Sequence, residues 1–181
     1  GVKFPLDAAP GLINRPVALG TKNFCREPAM SLHQLDDAMN LGASLVLERY
    51  NLGCNVIGLG EMGIGNTTSA AALMSFFLNL APRDCVGRGT GVDEQGLKRK
   101  EKVIYQALKL HKSKTDPRAI LAAVGGFEIA GITGAMLQAK ELGMIILVDG
   151  FISSNAGLAA CMLEPSAKEN MIFCHVSAEK A

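Results

Sequence analysis

Two short apolar runs, each followed by a glycine turn and a helical pattern, constrain the fold of this chain most strongly. The first run covers residues 54–60 and the second covers residues 144–148. Continuous apolar strands are typical of a parallel sheet that is covered on both faces. The helical patterns between them give the alternation of strand and helix found in α/β proteins. We therefore predict an α/β fold, a Rossmann-like open parallel sheet with helices on both faces.

Local signals predict the boundaries of the helices. Ser31 is a predicted N-cap for a helix that ends near Gly53, and Asn66 or Thr67 caps an alanine-rich helix to about residue 80. Asp116, followed by proline, begins another helix that ends at residues 125–126. Further helices are predicted over residues 94–112, 127–142 and 151–163, and further strands near residues 85–87 and over residues 171–174.

The domain organisation follows from where the prolines lie. Residues 1–30 hold four of the seven prolines and are predicted to form an extended arm, whereas residues 31–181 are predicted to form a single α/β nucleotide-binding domain. The chain begins with glycine rather than methionine and stops shortly after a strand. We expect it to be one piece of a longer protein.

The composition excludes several functional classes. Eighteen basic residues against seventeen acidic ones give a net charge of +1, and aromatic residues make up only 5% without any tryptophan. This balance argues against nucleic-acid binding through charge or base stacking. Five cysteines without a C-x-x-C pair indicate reduced, mostly buried thiols in a cytoplasmic protein. No apolar run approaches the ~20 residues of a membrane span, and no signal peptide is visible.

The ends of the predicted strands locate the candidate site, because ligands of open α/β sheets bind at the carboxyl ends of the strands. These ends fall in residues 60–65, 87–91, 149–150 and 175–177. We expect the four segments to meet at one edge of the sheet.

Individual motifs leave alternatives open. Glycines 58, 60 and 63 match the G-x-G-x-x-G pattern of dinucleotide-binding proteins, but tight packing of a strand against a helix explains the pattern as well. The charged run 98–102 is typical of a solvated helix face, although one of its lysines can reach inward to a phosphate. A hydrolase triad of Asp149, His175 and Ser177 is not supported, because no G-x-S-x-G is present. The single acid at residue 149 does not indicate metal-dependent chemistry.

Several motifs taken together resemble one family. They cover residues 20–23, 28–31, 60–71, 124–131, 148–154 and 175–180. In this order they resemble the nicotinate-nucleotide–dimethylbenzimidazole phosphoribosyltransferases of cobalamin lower-ligand assembly. The resemblance implies a transfer of phosphoribose from nicotinate mononucleotide to 5,6-dimethylbenzimidazole, which gives α-ribazole 5′-phosphate and nicotinate. It also implies a cytoplasmic homodimer that uses no cofactor and no metal, with the mononucleotide and a benzimidazole as its partners and with neither nucleic acid nor membrane.

The resemblance assigns roles to residues of this chain. Glu61 is implied to lie beside the reacting ribose, where its carboxylate would stabilise the positive charge that develops at C1′. Lys100 and Ser177 are implied to hold the 5′-phosphate. The other implied substrate-binding residues are Gly63, Gly89, Asp149 and Gly150.

The resemblance also implies that parts of the family's machinery lie outside this chain. The family's general base is a glutamate in a segment well beyond Ala181, and a small helical domain is built from both termini of the full-length proteins. A truncated homologue that binds nucleotides or regulates without catalysis is therefore an alternative. A further alternative, an NAD-binding oxidoreductase, rests on the glycine pattern alone.

Overall fold

A computed structural model describes residue 4 and residues 6–87 and 93–174 of the chain. Within these residues, seven α-helices, three strands and one 3-10 helix follow one another along the chain. Their bounds are α1 Leu32–Asn51, β1 Val56–Leu59, α2 Thr67–Leu78, α3 Pro82–Cys85, α4 Glu94–His111, α5 Pro117–Val124, α6 Phe127–Glu141, β2 Ile145–Val148, α7 Phe151–Leu163, the 3-10 helix Pro165–Asn170 and β3 Met171–Phe173.

The three strands form one parallel sheet in the order β1-β2-β3. Val56 pairs with Ile145 at the start of β1, and Ile146 pairs with Met171 at the start of β3. Five helices, α2 to α6, lie between β1 and β2 in the sequence, yet these two strands are neighbours in the sheet. This arrangement confirms the α/β class and the open parallel sheet.

The two faces of the sheet differ in how well they are covered. Ile146 and Val148 are buried in a cluster with residues of α6 and α7. The side chains on the opposite face are exposed, with Val56 at 44%, Ile145 at 44% and Ile172 at 53%. The second layer of helices expected from the sequence is therefore not present among the described residues. Among these residues α2 packs against α7, α3, α4 and α5 in a second core.

One predicted strand is wrong. Cys85 ends the short helix α3, and Val86 and Gly87 belong to neither a helix nor a strand. Pro82 explains the difference, because its fixed backbone angle favours the first turn of a helix.

The cysteines also differ in part from the prediction. All five are free thiols, but only Cys85 is buried, whereas Cys54 and Cys174 are exposed. Loss of hydration raises the pKa of Cys25, Cys85 and Cys161. These three thiols are therefore poor nucleophiles at neutral pH.

Residues 6–30, before α1, form neither a helix nor a strand. The backbone N–H groups of Ala29 and Met30 donate to the carbonyl oxygens of Ala123 and Ala122 at 2.9 and 3.0 Å, and both residues are buried. Ser31 then begins α1 as predicted. The division of the chain into an arm and a domain at residue 30 stays a prediction. No helix in the described ranges is long and apolar enough to cross a membrane.

Candidate functional site

The ends of β1 and β2 bring two predicted segments together. Leu59 pairs with Val148, so that Gly60 and Asp149 follow side by side. A methyl group placed on Gly60 would lie 3.7 Å from a carboxylate oxygen of Asp149. The two segments therefore meet at one edge of the sheet. The backbone N–H of Cys174 donates to the carbonyl of Val148 at 3.0 Å, which brings the end of β3 to the same edge.

The turn after β1 is held by a hydrogen bond between two side chains. Asn66 Nδ2 donates to Glu61 Oε2 at 2.7 Å. Gly63 lies directly beneath this bond: a Cβ at this position would overlap Asn66 Nδ2 and lie 2.8 Å from Glu61 Oε2. A side chain at position 63 would therefore displace the ends of Asn66 and Glu61 and disturb this hydrogen bond.

Two cavities meet at this turn. One cavity of about 490 Å³, called the polar cavity because it is the more polar of the two, is lined by the turn itself and by the start of α6. A largely apolar cavity of about 520 Å³ lies between α1, β1 and α6. Glu61, Phe127 and Glu128 line both of them. Phe127 is almost fully buried and forms a rigid wall, whereas the two glutamates supply negative charge where the cavities join.

A lysine from α4 reaches the start of α2. Lys100 Nζ donates to Thr67 Oγ1 at 3.0 Å and to the carbonyl oxygen of Gly87 at 3.4 Å. No carboxylate of the described residues lies within 4.0 Å of this ammonium group. Lys98, Arg99 and Lys102 are exposed or half-exposed, and Lys100 is partly buried. The charged run is thus a solvated face from which one lysine turns inward.

The start of α2 is open to an anion. Asn66 occupies the N-cap position, but its side chain forms no capping hydrogen bond. The free N–H groups of a helix N-terminus carry partial positive charge and bind phosphates well. The ammonium group of Lys100 adds a full positive charge at Thr67, the first residue of this helix. Together they provide the chemistry for binding a phosphate dianion.

The structure brings together most of the predicted site residues. Glu61 and Gly63 lie in the turn after β1, Asp149 and Gly150 follow β2, and Lys100 touches the first residue of α2. Two further predicted residues, Gly89 and Ser177, lie outside the described residues. Within the described part of the chain, no three His, Cys, Asp or Glu side chains come together to hold a metal ion.

Two residues of the site were missed in the sequence. Asn66 was interpreted only as a helix cap, and its partner Glu61 lies five residues earlier, a spacing that matches no capping pattern. Glu128 falls within the motif of residues 124–131 and has no role predicted from the sequence, although it lines both cavities. Its position in the first turn of a helix after two glycines was the available signal.

Comparison with known proteins decides the family. A family model described as "Phosphoribosyltransferase" matches residues 1–181. The chain belongs to this family of phosphoribosyltransferases. The resemblance drawn from the motifs is thereby confirmed.

Named relatives agree with this assignment. The nicotinate-nucleotide–dimethylbenzimidazole phosphoribosyltransferase of Cupriavidus necator is 50% identical over 180 residues, which are 99% of this chain and 52% of that protein. The protein of the same name from Pseudoalteromonas translucida is 54% identical over 153 residues, 84% of this chain and 43% of its own length. The crystal structure of CobT from Thermus thermophilus superposes with a TM-score of 0.95 at 37% identity and covers 99% of this chain and 54% of that one. The chain thus spans about half the length of the curated relatives it matches.

Proposed function

We propose that this chain supplies the phosphate- and ribose-binding part of an enzyme that transfers phosphoribose from nicotinate mononucleotide to a benzimidazole base. The products of this reaction are nicotinate and α-ribazole 5′-phosphate. One observation carries the proposal: Glu61 stands where a polar and an apolar cavity meet, close to a helix N-terminus that is contacted by a lysine. A phosphorylated sugar and a flat aromatic base need these two environments side by side.

The phosphate is assigned to the start of α2. Lys100 and the uncapped N–H groups of this helix would hold the 5′-phosphate, and Gly89 and Ser177 are proposed to contribute to the same task. These contacts lie away from the reacting carbon. Binding energy gained there can fix the orientation of the ribose.

Glu61 is assigned to the charge that develops in the reaction. The bond between C1′ and the nicotinate nitrogen breaks while a benzimidazole nitrogen forms a new bond to C1′, and positive charge accumulates on the ribose ring in between. A carboxylate fixed beside the ring stabilises this charge most strongly in the transition state. Gly63, Asp149 and Gly150 complete the edge on which the ribose would lie.

The base is assigned to the apolar cavity. Its volume of about 520 Å³ and its aliphatic lining from α1, β1 and α6 suit a methylated aromatic ring. The second ring nitrogen of the benzimidazole must lose its proton to a general base. We assign no residue of this chain to that step, since the family resemblance places the base beyond residue 181.

Family membership supports two further expectations about the whole protein. We propose a homodimer located in the cytoplasm that needs no cofactor and has neither nucleic acid nor membrane as a partner. Light scattering of the purified protein tests the dimer, and a monomer at micromolar concentration would contradict it. Cell fractionation with an antibody against this chain tests the location.

A thermal-shift titration of the 181-residue chain tests the binding proposal. Nicotinate mononucleotide at about 100 times its dissociation constant should add about 2.7 kcal/mol to the free energy of unfolding. Inorganic phosphate should stabilise the chain more weakly, and NAD should stabilise it no more than phosphate does. Absence of any shift with the mononucleotide, or a larger one with NAD, would contradict the proposal.

Turnover separates an enzyme from a non-catalytic homologue. The chain is incubated with nicotinate mononucleotide and 5,6-dimethylbenzimidazole, and the release of nicotinate is followed by chromatography. The alternative is a homologue that binds nucleotides or regulates without catalysis. Binding without release of nicotinate, in this chain and in any longer natural form, would favour that alternative.

A further inference from the structure

Asn66 stands at the N-cap of α2 but does not act as a cap. Its backbone angles, φ −79° and ψ −11°, are helical, whereas a capping residue is normally extended, as Asp116 is with φ −73° and ψ 128°. The Asn66 side chain makes no capping hydrogen bond to the N–H groups of its own helix. The amide donates instead to Glu61 Oε2 at 2.7 Å.

The arrangement lowers stability where an ordinary cap would raise it. Asn66 Oδ1 is buried and has no hydrogen-bond partner among the described residues. A buried acceptor without a partner destabilises the fold, and so does a missing cap. A Cβ on Gly63 would overlap the end of this amide, so a side chain at position 63 would displace Asn66 from Glu61. Against these losses of stability, the Asn66 side chain gains its hydrogen bond to Glu61.

We propose that Asn66 is a positioning residue that holds the carboxylate of Glu61 at the junction of the two cavities. This inference rests on the proposed function, in which Glu61 faces the ribose. The Asn66 amide fixes one carboxylate oxygen, so that the other stays directed at the ligand. The amide donates to this oxygen in only one orientation, because its carbonyl end would be repelled by the carboxylate.

The Asn66 side chain serves the phosphate as well by leaving α2 uncapped. The free N–H groups of this helix remain available beside Lys100. Asn66 thus serves both parts of the site. Its side-chain amide orients the carboxylate of Glu61, and its backbone begins the helix that binds the phosphate.

A double-mutant cycle tests whether Asn66 acts through Glu61. The affinity for nicotinate mononucleotide is measured by calorimetry for the natural chain, Asn66→Ala, Glu61→Ala and the double variant. We expect Asn66→Ala to weaken binding of the mononucleotide about tenfold, a loss of about 1.4 kcal/mol. Binding of inorganic phosphate should weaken less than about twofold. The double variant should bind no more weakly than Glu61→Ala, because coupled residues are not additive. Losses that simply add, or an unchanged affinity of Asn66→Ala, would overturn the inference.

The pH dependence of a second variant gives a readout that a structural role would not move. Asn66→Asp replaces the donor with a carboxylate of equal size. At about pH 8 the two carboxylates repel each other, whereas near about pH 5.5 they can share a proton. The affinity of Asn66→Asp relative to the natural chain should therefore recover by about fivefold at the lower pH. An equal ratio at both pH values would count against positioning.

A measurement without ligand distinguishes failure of this inference from failure of the proposed function. In nuclear magnetic resonance spectra, an amide proton of the Asn66 side chain should exchange slowly with water and lose this protection in Glu61→Ala. If the natural chain does not bind the mononucleotide but the protection is seen, the proposed function is wrong and the contact stands. If the protection does not depend on Glu61, the positioning role is wrong whatever the ligand does.

Discussion

The helices of this chain begin in two different ways. Among the described helices of eight or more residues, three have a side chain that caps the first turn, namely Ser31 of α1, Asp93 of α4 and Asp116 of α5. Three others begin without one, at Asn66 before α2, Gly126 before α6 and Gly150 before α7. The uncapped group lies at the candidate site, since two of its N-cap residues line the polar cavity and the third follows the end of β2.

This difference shows at which helix starts the chain lacks the stability that a capping side chain adds. Relative to alanine a capping side chain contributes about 1 kcal/mol, but relative to glycine only a few tenths, so the loss is small at Gly126 and Gly150 and the missing cap matters most at Asn66. Natural sequences depart from such local rules mainly at functional positions. We therefore interpret the capped helix starts as structural and the uncapped helix starts as part of the ligand-binding surface.

The largest effect is expected at the lysine beside an uncapped start. Lys100→Ala removes the ammonium group that contacts Thr67, and a charge-assisted contact with phosphate is worth roughly 1.5–3 kcal/mol. We expect calorimetry to show a loss of roughly 10- to 100-fold in affinity for nicotinate mononucleotide. Lys98→Ala is the matched control, because Lys98 lies on the same helix, α4, and its side chain is exposed. Equal losses in both variants would mean that general charge, and not the helix start, attracts the ligand.

A smaller effect is expected at the start of α7. Gly150 has φ +93° and ψ 161°, a conformation that other residues adopt only at a cost of about 1–3 kcal/mol. Gly150→Ala should lower the free energy of unfolding by about 2 kcal/mol in urea titrations. Gly58→Ala serves as the control, since a methyl group there would meet nothing within 4 Å. If Gly150→Ala is as stable as the natural chain, the backbone does not dictate glycine at this uncapped start.

Removal of a side chain that does cap its helix tests the comparison between capped and uncapped helix starts. Asp116 accepts a hydrogen bond from the backbone N–H of Ala119 at 2.8 Å. Asp116→Ala should lower the free energy of unfolding by about 1 kcal/mol and leave the affinity for the mononucleotide unchanged. Asn66→Ala should do the opposite, with weaker binding and a change in stability below about 0.5 kcal/mol. The same pattern in both variants would remove the distinction between the two kinds of helix start.

The smallest effect concerns Glu164, which caps the 3-10 helix. Hydrogen bonds from the side chain and backbone of Ser166, together with the charge of Lys140, lower the pKa of Glu164. Its contribution to stability is therefore present above the ordinary carboxyl pKa and is lost as pH falls through the lowered value. Ser166→Ala should raise the pKa of Glu164 and reduce the dependence of stability on pH in acid. A carbon-13 titration of Glu164 that is identical in both proteins would contradict this.

Much of the fold could be predicted because its signals are local. The apolar runs before residues 60 and 149 are strands, and Ser31 and Asp116 cap the helices that follow them. The predicted strand near residue 85 failed because Pro82 was given too little weight as a helix start. The uncovered face of the sheet departs from the prediction, because continuous apolar strands are typical of a sheet covered on both faces, whereas Val56, Ile145 and Ile172 are exposed.

The site was only partly predictable. Glu61 and Gly63 stand in a recognisable motif, and the family resemblance singled out Lys100 from the charged run. The role of Asn66 depends on a side-chain rotation that no spacing rule describes. The two cavities share Phe127 in their lining, a residue from a helix more than sixty positions after Glu61 in the chain.

The pairing of β1 with β2 also has a consequence for the order of folding. Val56 and Ile145 are partners although about 90 residues separate them, with five helices in between. Closing so long a loop is entropically costly, and pairings of this range form late in folding. Gly60 and Asp149 come together only when this pairing is complete. In stopped-flow refolding, binding of the mononucleotide should therefore appear with the slowest phase and not with the earlier gain of helix, so that the chain becomes able to hold its ligand only when its longest-range contact has formed.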